Sequence, residues 1–492
     1  MKTRANLFFG RERELAQLDG LWAKRVGSLA TCRGRRRIGK STLVEEFARR
    51  SDARFLKLEG LRPKPGMSER DQLSFFASKL AAQTGCEKTP PSDWYSAFVR
   101  LDRELDDNGR TVVLMDEISW MARFSPLFPE ILKNAWDDLF KKHPRLIMVL
   151  CGSASSWIRD SIVRNRAFVG RRSLDMVVGE LPPSDCAKFW GRKADRIDSR
   201  EIVDVLSVTG GVPRYLEEID PSLSAQENIR RLCFLPNSLL RVDFDDMFAD
   251  VVTEQPRFSS RVLRSFVDGP RTATEVAEGL KIEKGGDVST AIWNLVEAGF
   301  LSETGRINPE TGRELRERRF RLRDNYARFY LKCVEPHCNV IDDDAFSFAT
   351  LDQLEGWDSI MGLAFENMVV NNYRALVPHL HLDGAVIVSA GPYLRRTAKG
   401  PRGRTGCQID LLIQTRRTIC VVEIKRRREI GRETIAEVDA KLRAIRRPAG
   451  VSARAALVYD GHLSPLAASD GYFDAIVPFD TLLGRGNACN RK

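Results

Sequence analysis

Along the first 220 positions, two rhythms of apolar residues alternate. Short unbroken apolar runs, such as 112–115 and 146–150, read as strands buried on both faces. Between them lie stretches with helical spacing, such as 42–48. This alternation predicts a parallel α/β sheet covered by helices. Farther on, 259–267, 272–280 and 287–298 read as three short helices, and Thr272 with Glu275 forms a capping-box pattern. A strand then starts at 299–301, Asn308-Pro309 and Thr311-Gly312 signal turns, and 318–323 alternates as a returning strand would. From about 355 the pattern returns to mixed helix and strand. With no internal repeat or low-complexity tract, the expected blocks are 1–220, 221–335 and 336–492.

The sharpest chemistry lies at Gly34-Arg35-Arg36-Arg37-Ile38-Gly39-Lys40-Ser41-Thr42. It matches G-x-x-x-x-G-K-[ST], with a strand before it and a helix after it, which is the context a phosphate-binding loop requires. Its glycines let the chain wrap a phosphate, and free N–H groups with the helix dipole favour anions. Lys40 is expected to reach the β and γ phosphates of ATP, and Ser41 to ligate magnesium. The run 112–115 ends in Asp116-Glu117. Asp116 fits the magnesium-organising aspartate, and Glu117 the base that positions the attacking water.

These segments resemble the archaeal-type AAA+ ATPases, relatives of the STAND NTPases. The resemblance also rests on Phe9-Gly10-Arg11-Glu12-Arg13-Glu14-Leu15, on Cys151-Gly152-Ser153 and on Gly210-Gly211-Val212-Pro213-Arg214. It implies a sensor role for Ser153, which would otherwise cap a helix, and a nucleotide contact for Arg214 in a helical lid, which would otherwise be a surface residue. Arg171 and Arg172 stand where the family often carries an arginine for the γ-phosphate. A solvated basic face is the alternative. The three middle helices and hairpin resemble a winged-helix module. There Arg313, Arg316, Arg318, Arg319, Arg321 and Arg323 would meet DNA phosphates, with Ser289, Thr290 and Asn294 offered to a groove; a plain spacer between ATPase and effector is the alternative.

The last block holds two strand-like arms, 408–414 and 418–425, around Arg416-Arg417. In a symmetric hairpin Asp410 faces Glu423, and Lys425 shares the face of Glu423. Facing carboxylates repel, and a divalent metal would remove the conflict. Asp followed by Glu-x-Lys resembles the PD-(D/E)XK nuclease superfamily, and Glu366 fits that superfamily's first-helix acid; Glu437 is a further candidate. The resemblance implies metal at Asp410 and Glu423, with Glu366 and Lys425 assisting a magnesium-dependent deoxyribonuclease. Arg395, Arg396, Lys399, Arg402, Arg404 and 426–428 would guide a phosphate backbone. A nucleotide-switched regulator with a catalytically silent nuclease fold is the alternative.

The expected fold class is thus α/β: a P-loop NTPase parallel sheet with helical lid, a winged-helix module, and a C-terminal restriction-endonuclease-like domain. ATP, magnesium and DNA are the implied ligands, and a homo-oligomer is compatible. Charge changes this little, because a net +11 permits nucleic-acid contact without establishing it. Ten scattered cysteines point to reduced thiols, and the Cys333, His337, Cys338 cluster lacks zinc-ligand spacing. With no apolar stretch of membrane-span or signal-peptide length, a cytoplasmic protein without membrane contact is expected.

Overall fold

The structure, a computed structural model, describes residues 8–152, 155–251, 256–282, 286–304, 307–315, 318–347, 350–395 and 406–485. The chain packs as two compact units. The first is 1–180 with 247–256 and 297–299, and the second is the remainder. The segment 181–220, expected to belong to the first block with its lid residues Gly210–Arg214, therefore packs with the C-terminal part of the chain.

In the first unit, β1 (Ser28–Arg33), β2 (Arg54–Glu59), β3 (Thr111–Asp116), β4 (Leu146–Gly152) and β5 (Arg172–Val177) form one parallel sheet. Its order is β2-β3-β4-β1-β5. The interior strands β3 and β4 are buried at every residue, as their unbroken apolar runs require. Register sets Arg33 beside Gly152, and Glu59 beside Asp116, so the carboxyl ends of these strands form one edge. Helices α1 (Glu12–Asp19), α2 (Lys40–Arg50) and α3 (Phe128–Asp138) belong to this unit. Its core includes an aromatic group in which Trp94 meets Phe128 edge-on at 4.9 Å.

The second unit opens with helices that include α4 (Ser199–Thr209). Then come α5 (Pro256–Arg264), β6 (Arg271–Thr272), α6 (Ala273–Leu280), α7 (Gly286–Glu297), β7 (Leu301–Thr304) and β8 (Arg319–Leu322). The sequence predicts a two-stranded hairpin here. The structure adds β6 as a third strand, in the antiparallel order β6-β8-β7. Trp293 on α7 packs edge-on against Phe320 on β8 at 5.4 Å.

Beyond α8 (Trp357–Asn371) a five-stranded mixed sheet forms from β9 (Ile387–Arg395), β10 (Cys407–Thr415), β11 (Thr418–Ile430), β12 (Ser452–Leu463) and β13 (Ala475–Pro478). Its order is β13-β12-β11-β10-β9, and β9, β10 and β11 are successively antiparallel. Val438 of α9 (Glu433–Ala444) joins Ile409, Leu412, Val421 and Leu457 in one core. Among the described residues, no helix is long and apolar enough to cross a membrane.

The expected capping box is present. Thr272 N–H donates to Glu275 Oε2 at 2.9 Å, and Glu275 N–H donates to Thr272 Oγ1 at 3.2 Å. Glu275 also holds Arg319 of β8 at 2.9 Å. Thr272→Ala is expected to lower stability by about 1 kcal/mol, seen as a lower urea midpoint. Glu275→Ala should cost more, because it also strands a partly buried guanidinium.

Candidate functional site

The loop between β1 and α2 is shaped by its glycines. Gly34 has φ 151°, and a Cβ there would lie 2.3 Å from the Val178 carbonyl oxygen; Gly39 has φ 83°. Lys40 is buried, and its ammonium donates to the carbonyls of Gly34 and Arg35, both at 3.0 Å. The cation thus sits inside the curve of the loop. Arg11, from the Phe-Gly-Arg-Glu-Arg-Glu segment, is buried and donates to the Ile38 carbonyl at 3.0 Å, bracing the loop from outside. Arg35 is also buried, with Glu180 at 3.8 Å, while Arg36 and Arg37 are half-buried. Thr42 lies exposed on the first turn of α2.

At the foot of the loop the Ser41 hydroxyl donates to Asp116 Oδ2 at 2.6 Å. Lys57 lies 3.5 Å from the same oxygen, and the Glu117 N–H donates to the other at 3.1 Å. A hydroxyl beside a carboxylate below a phosphate loop is the oxygen donor set that magnesium takes while keeping several waters. Glu117 follows in a left-handed conformation, φ 48°. Gly60 allows this turn to pack closely, since a Cβ there would lie 2.5 Å from the Glu117 carbonyl oxygen. A Cβ on Gly152 would lie 3.7 Å from Glu117 Oε2, which places that carboxylate at the end of β4.

Ser153 lies outside the described residues. Arg171 forms a two-point pair with Asp137, at 2.7 and 2.8 Å, and holds that carboxyl down at about 2. Arg172 opens β5. Arg214 pairs with Glu218 at 2.5 Å and Glu217 at 3.4 Å, on its own surface. Sequence reasoning passed over Arg33, just before the loop. It is tied to Asp175 at 3.0 Å and to Glu297 at 2.7 Å.

In the second unit, β10 and β11 pair with Leu411 opposite Val422 and Gln414 opposite Ile419. The expected register therefore holds, and Asp410 is next in line to Glu423. Arg416-Arg417 is a poor turn pair, and Thr415 compensates. Its hydroxyl oxygen accepts from the N–H groups of Thr418 at 3.0 Å and Arg417 at 3.3 Å. Asp410 Oδ2 accepts from the Ile424 N–H at 2.9 Å. The Glu423 side chain is 1% exposed and meets two lysines. Lys425 lies 2.9 Å from Oε1 and also reaches Glu437 at 2.7 Å. Lys441 lies 2.5 Å from Oε2 and 3.8 Å from Asp410 Oδ1.

The repulsion expected between Asp410 and Glu423 is thus relieved by the chain's own ammonium groups. Among the described residues, no three His, Cys, Asp or Glu side chains come together to hold an ion. These groups, with Glu366 and Gln408, line an open cleft of about 1060 Å³. Burial, reinforced by Asp410, raises the Glu366 carboxyl to about 7. Burial and Glu423 raise Asp410 to about 6.

Several arginines expected to meet phosphate also have partners within the fold. Arg319 holds Glu275, Arg321 donates to Asn367 and Asn371, and Arg426 is clasped between Asp204 and Asp460. Arg395 pairs with Glu310 at 3.2 Å and donates to the Ala444 carbonyl at 2.9 Å. Arg427 and Arg428 are exposed, as is Arg313. Arg316, Arg396, Lys399, Arg402 and Arg404 lie outside the described residues.

Two outcomes follow. Gly60→Ala should push on the Glu117 carbonyl and lower kcat for ATP while nucleotide affinity is kept. Steady-state kinetics beside nucleotide titration reads the split. Glu366 binds its proton more tightly when folded than at its ordinary 4.5. Its contribution to stability is therefore full below pH 4.5 and lost as pH rises through about 7. Glu366→Gln should flatten that part of the Tm–pH curve.

Residues 8–219 match the family model described as an ATPase domain predominantly from Archaea. No curated protein matches the chain. Among solved structures, a Walker-type ATPase of Pyrococcus abyssi is 16% identical, covering 66% of this chain and 96% of its own, with TM-score 0.48. The ORC2 protein of Aeropyrum pernix, in ADPNP–ADP complexes, is 13% identical over 68% and 96%, with TM-score 0.42. The Thermotoga maritima RuvB Holliday junction branch migration motor is 15% identical over 60% and 90%, with TM-score 0.31. Likeness at that level adds nothing to the family match. The family match, the parallel sheet order and the Lys40–Ser41–Asp116 geometry together make this part of the chain an ATPase domain of archaeal type.

Proposed function

We propose that the protein hydrolyses ATP at this loop and that turnover governs a DNA-directed, metal-dependent nuclease-like module in the second unit. The observation that carries the ATPase part is the 2.6 Å contact between Ser41 and Asp116 below a loop already curved around Lys40. Ser41 and Asp116 would hold magnesium, which supplies charge neutralisation at the phosphates. Lys40 would exchange two carbonyl partners for β and γ phosphate oxygens. Glu117 would orient the attacking water and take its proton.

The three helices and three-stranded sheet of 256–322 support a winged-helix reading. Ser289 and Thr290 are exposed on α7, Arg313 is exposed, and Arg318, also exposed, lies 3.6 Å from Glu303 and over the Trp293 ring. The cleft supports the nuclease-like reading, because Asp410, Glu423 and Lys425 stand in one mixed sheet beside Glu366. One observation favours the silent-fold alternative: an ammonium already spans the carboxylate pair. Incubating the full chain with plasmid, magnesium or manganese, and with or without ATP, separates the two. Nicks or breaks that Asp410→Asn abolishes support nuclease action. Their absence under every condition assigns the second unit to binding alone.

Lys40→Ala is expected to weaken nucleotide binding. Glu117→Gln should keep binding and lose roughly 10²-fold or more in turnover, as phosphate release would show. Replacing Arg313 and Arg318 together by alanine should weaken duplex binding for all sequences alike. The slope of log affinity against log salt should fall by about 2, measured by titration at several ionic strengths.

A further inference from the structure

The two lysines on Glu423 are not equivalent. Lys425 lies two residues along β11 and is held from behind by Glu437, so it has two carboxylate partners without touching Asp410. Lys441 comes from α9, one turn after Glu437. It takes the opposite oxygen of Glu423 at 2.5 Å and stands 3.8 Å from Asp410. Its ammonium therefore occupies the gap between the two strand carboxylates. A magnesium ion held by those oxygens would sit about 2.0–2.1 Å from them, in the same gap. Two cations cannot share it, because their repulsion would not be screened beside a carboxylate that is 1% exposed.

We propose that Lys441 is a resident counter-cation that closes the Asp410–Glu423 pair in the resting protein, and that a divalent metal binds there only by displacing it. This rests on reading the cleft as a metal-dependent site. The geometry permits the exchange. The Lys441 side chain is 21% exposed and lines the open cleft, and its flexible stem lets the ammonium swing outward without moving the backbone of α9. Lys425 stays on the far oxygen of Glu423, so the buried carboxylate keeps one partner throughout. Resting neutralisation and metal loading are thus alternatives at one position. The cleft is stable without an ion, and its metal affinity is set by competition with a lysine.

The test uses the nucleotide-free full chain with Mn²⁺ as probe, read by calorimetric titration and by Tm. Binding removed by Asp410→Asn is assigned to the cleft. Lys441→Met should bind Mn²⁺ there at least tenfold more tightly than wild type. It should also melt lower without metal and recover in Mn²⁺. Lys441→Gln serves the same purpose if the methionine variant does not fold, and Lys441→Arg, which keeps the charge, should stay as weak as wild type. Equal or weaker Mn²⁺ binding by the neutral variants, with the Asp410-dependent binding intact, overturns displacement while leaving the metal reading in place. If neither wild type nor any Lys441 variant shows Asp410-dependent Mn²⁺ binding, the metal reading itself falls, and the proposal with it.

Discussion

Strand register is the constraint on which both sites depend. Slipping β10 by one residue against β11 would turn Asp410 to the opposite face from Glu423 and break the charge cluster. A similar slip between β3 and β4 would carry Asp116 away from the loop. In the first sheet, the central strands β3 and β4 are buried at every residue, and their parallel pairing sets the alignment. In the second, a two-residue turn locked by the Thr415 hydroxyl fixes it instead.

Once register is set, the carboxylates become the main electrostatic cost of the second unit. Glu423 is almost fully buried, Asp410 and Glu366 are pushed toward their neutral forms, and Glu437 completes the set. Lys425 and Lys441 offset that cost from two different elements, a strand and a helix. Arg426 does similar work one residue on, clasped by Asp204 of α4 and Asp460 of β12. Basic residues in this region hold the fold together as well as facing outward.

That division explains what was legible in the sequence. The phosphate loop was readable because its meaning lies in local spacing: glycines, lysine and hydroxyl within one turn of chain. The Ser41–Asp116 contact and the register that sets Asp410 beside Glu423 were readable from local spacing too. The arginines were not. Arg171, Arg319, Arg321 and Arg426 look like phosphate ligands in a basic sequence, yet each has a partner supplied from elsewhere in the fold. Lys441 was missed because it belongs to no motif. Its one local signal is its place four residues after Glu437, which puts the two on one face of α9.

The position of Lys40 carries a kinetic consequence. Its ammonium is already held by the Gly34 and Arg35 carbonyls, so on the proposed reading the loop is curved before any phosphate arrives. Capture would then require an exchange of hydrogen-bond partners rather than the ordering of a flexible segment. Association with the triphosphate can therefore approach the rate at which the two meet, and differences in affinity among nucleotides should reside mainly in how slowly each one leaves.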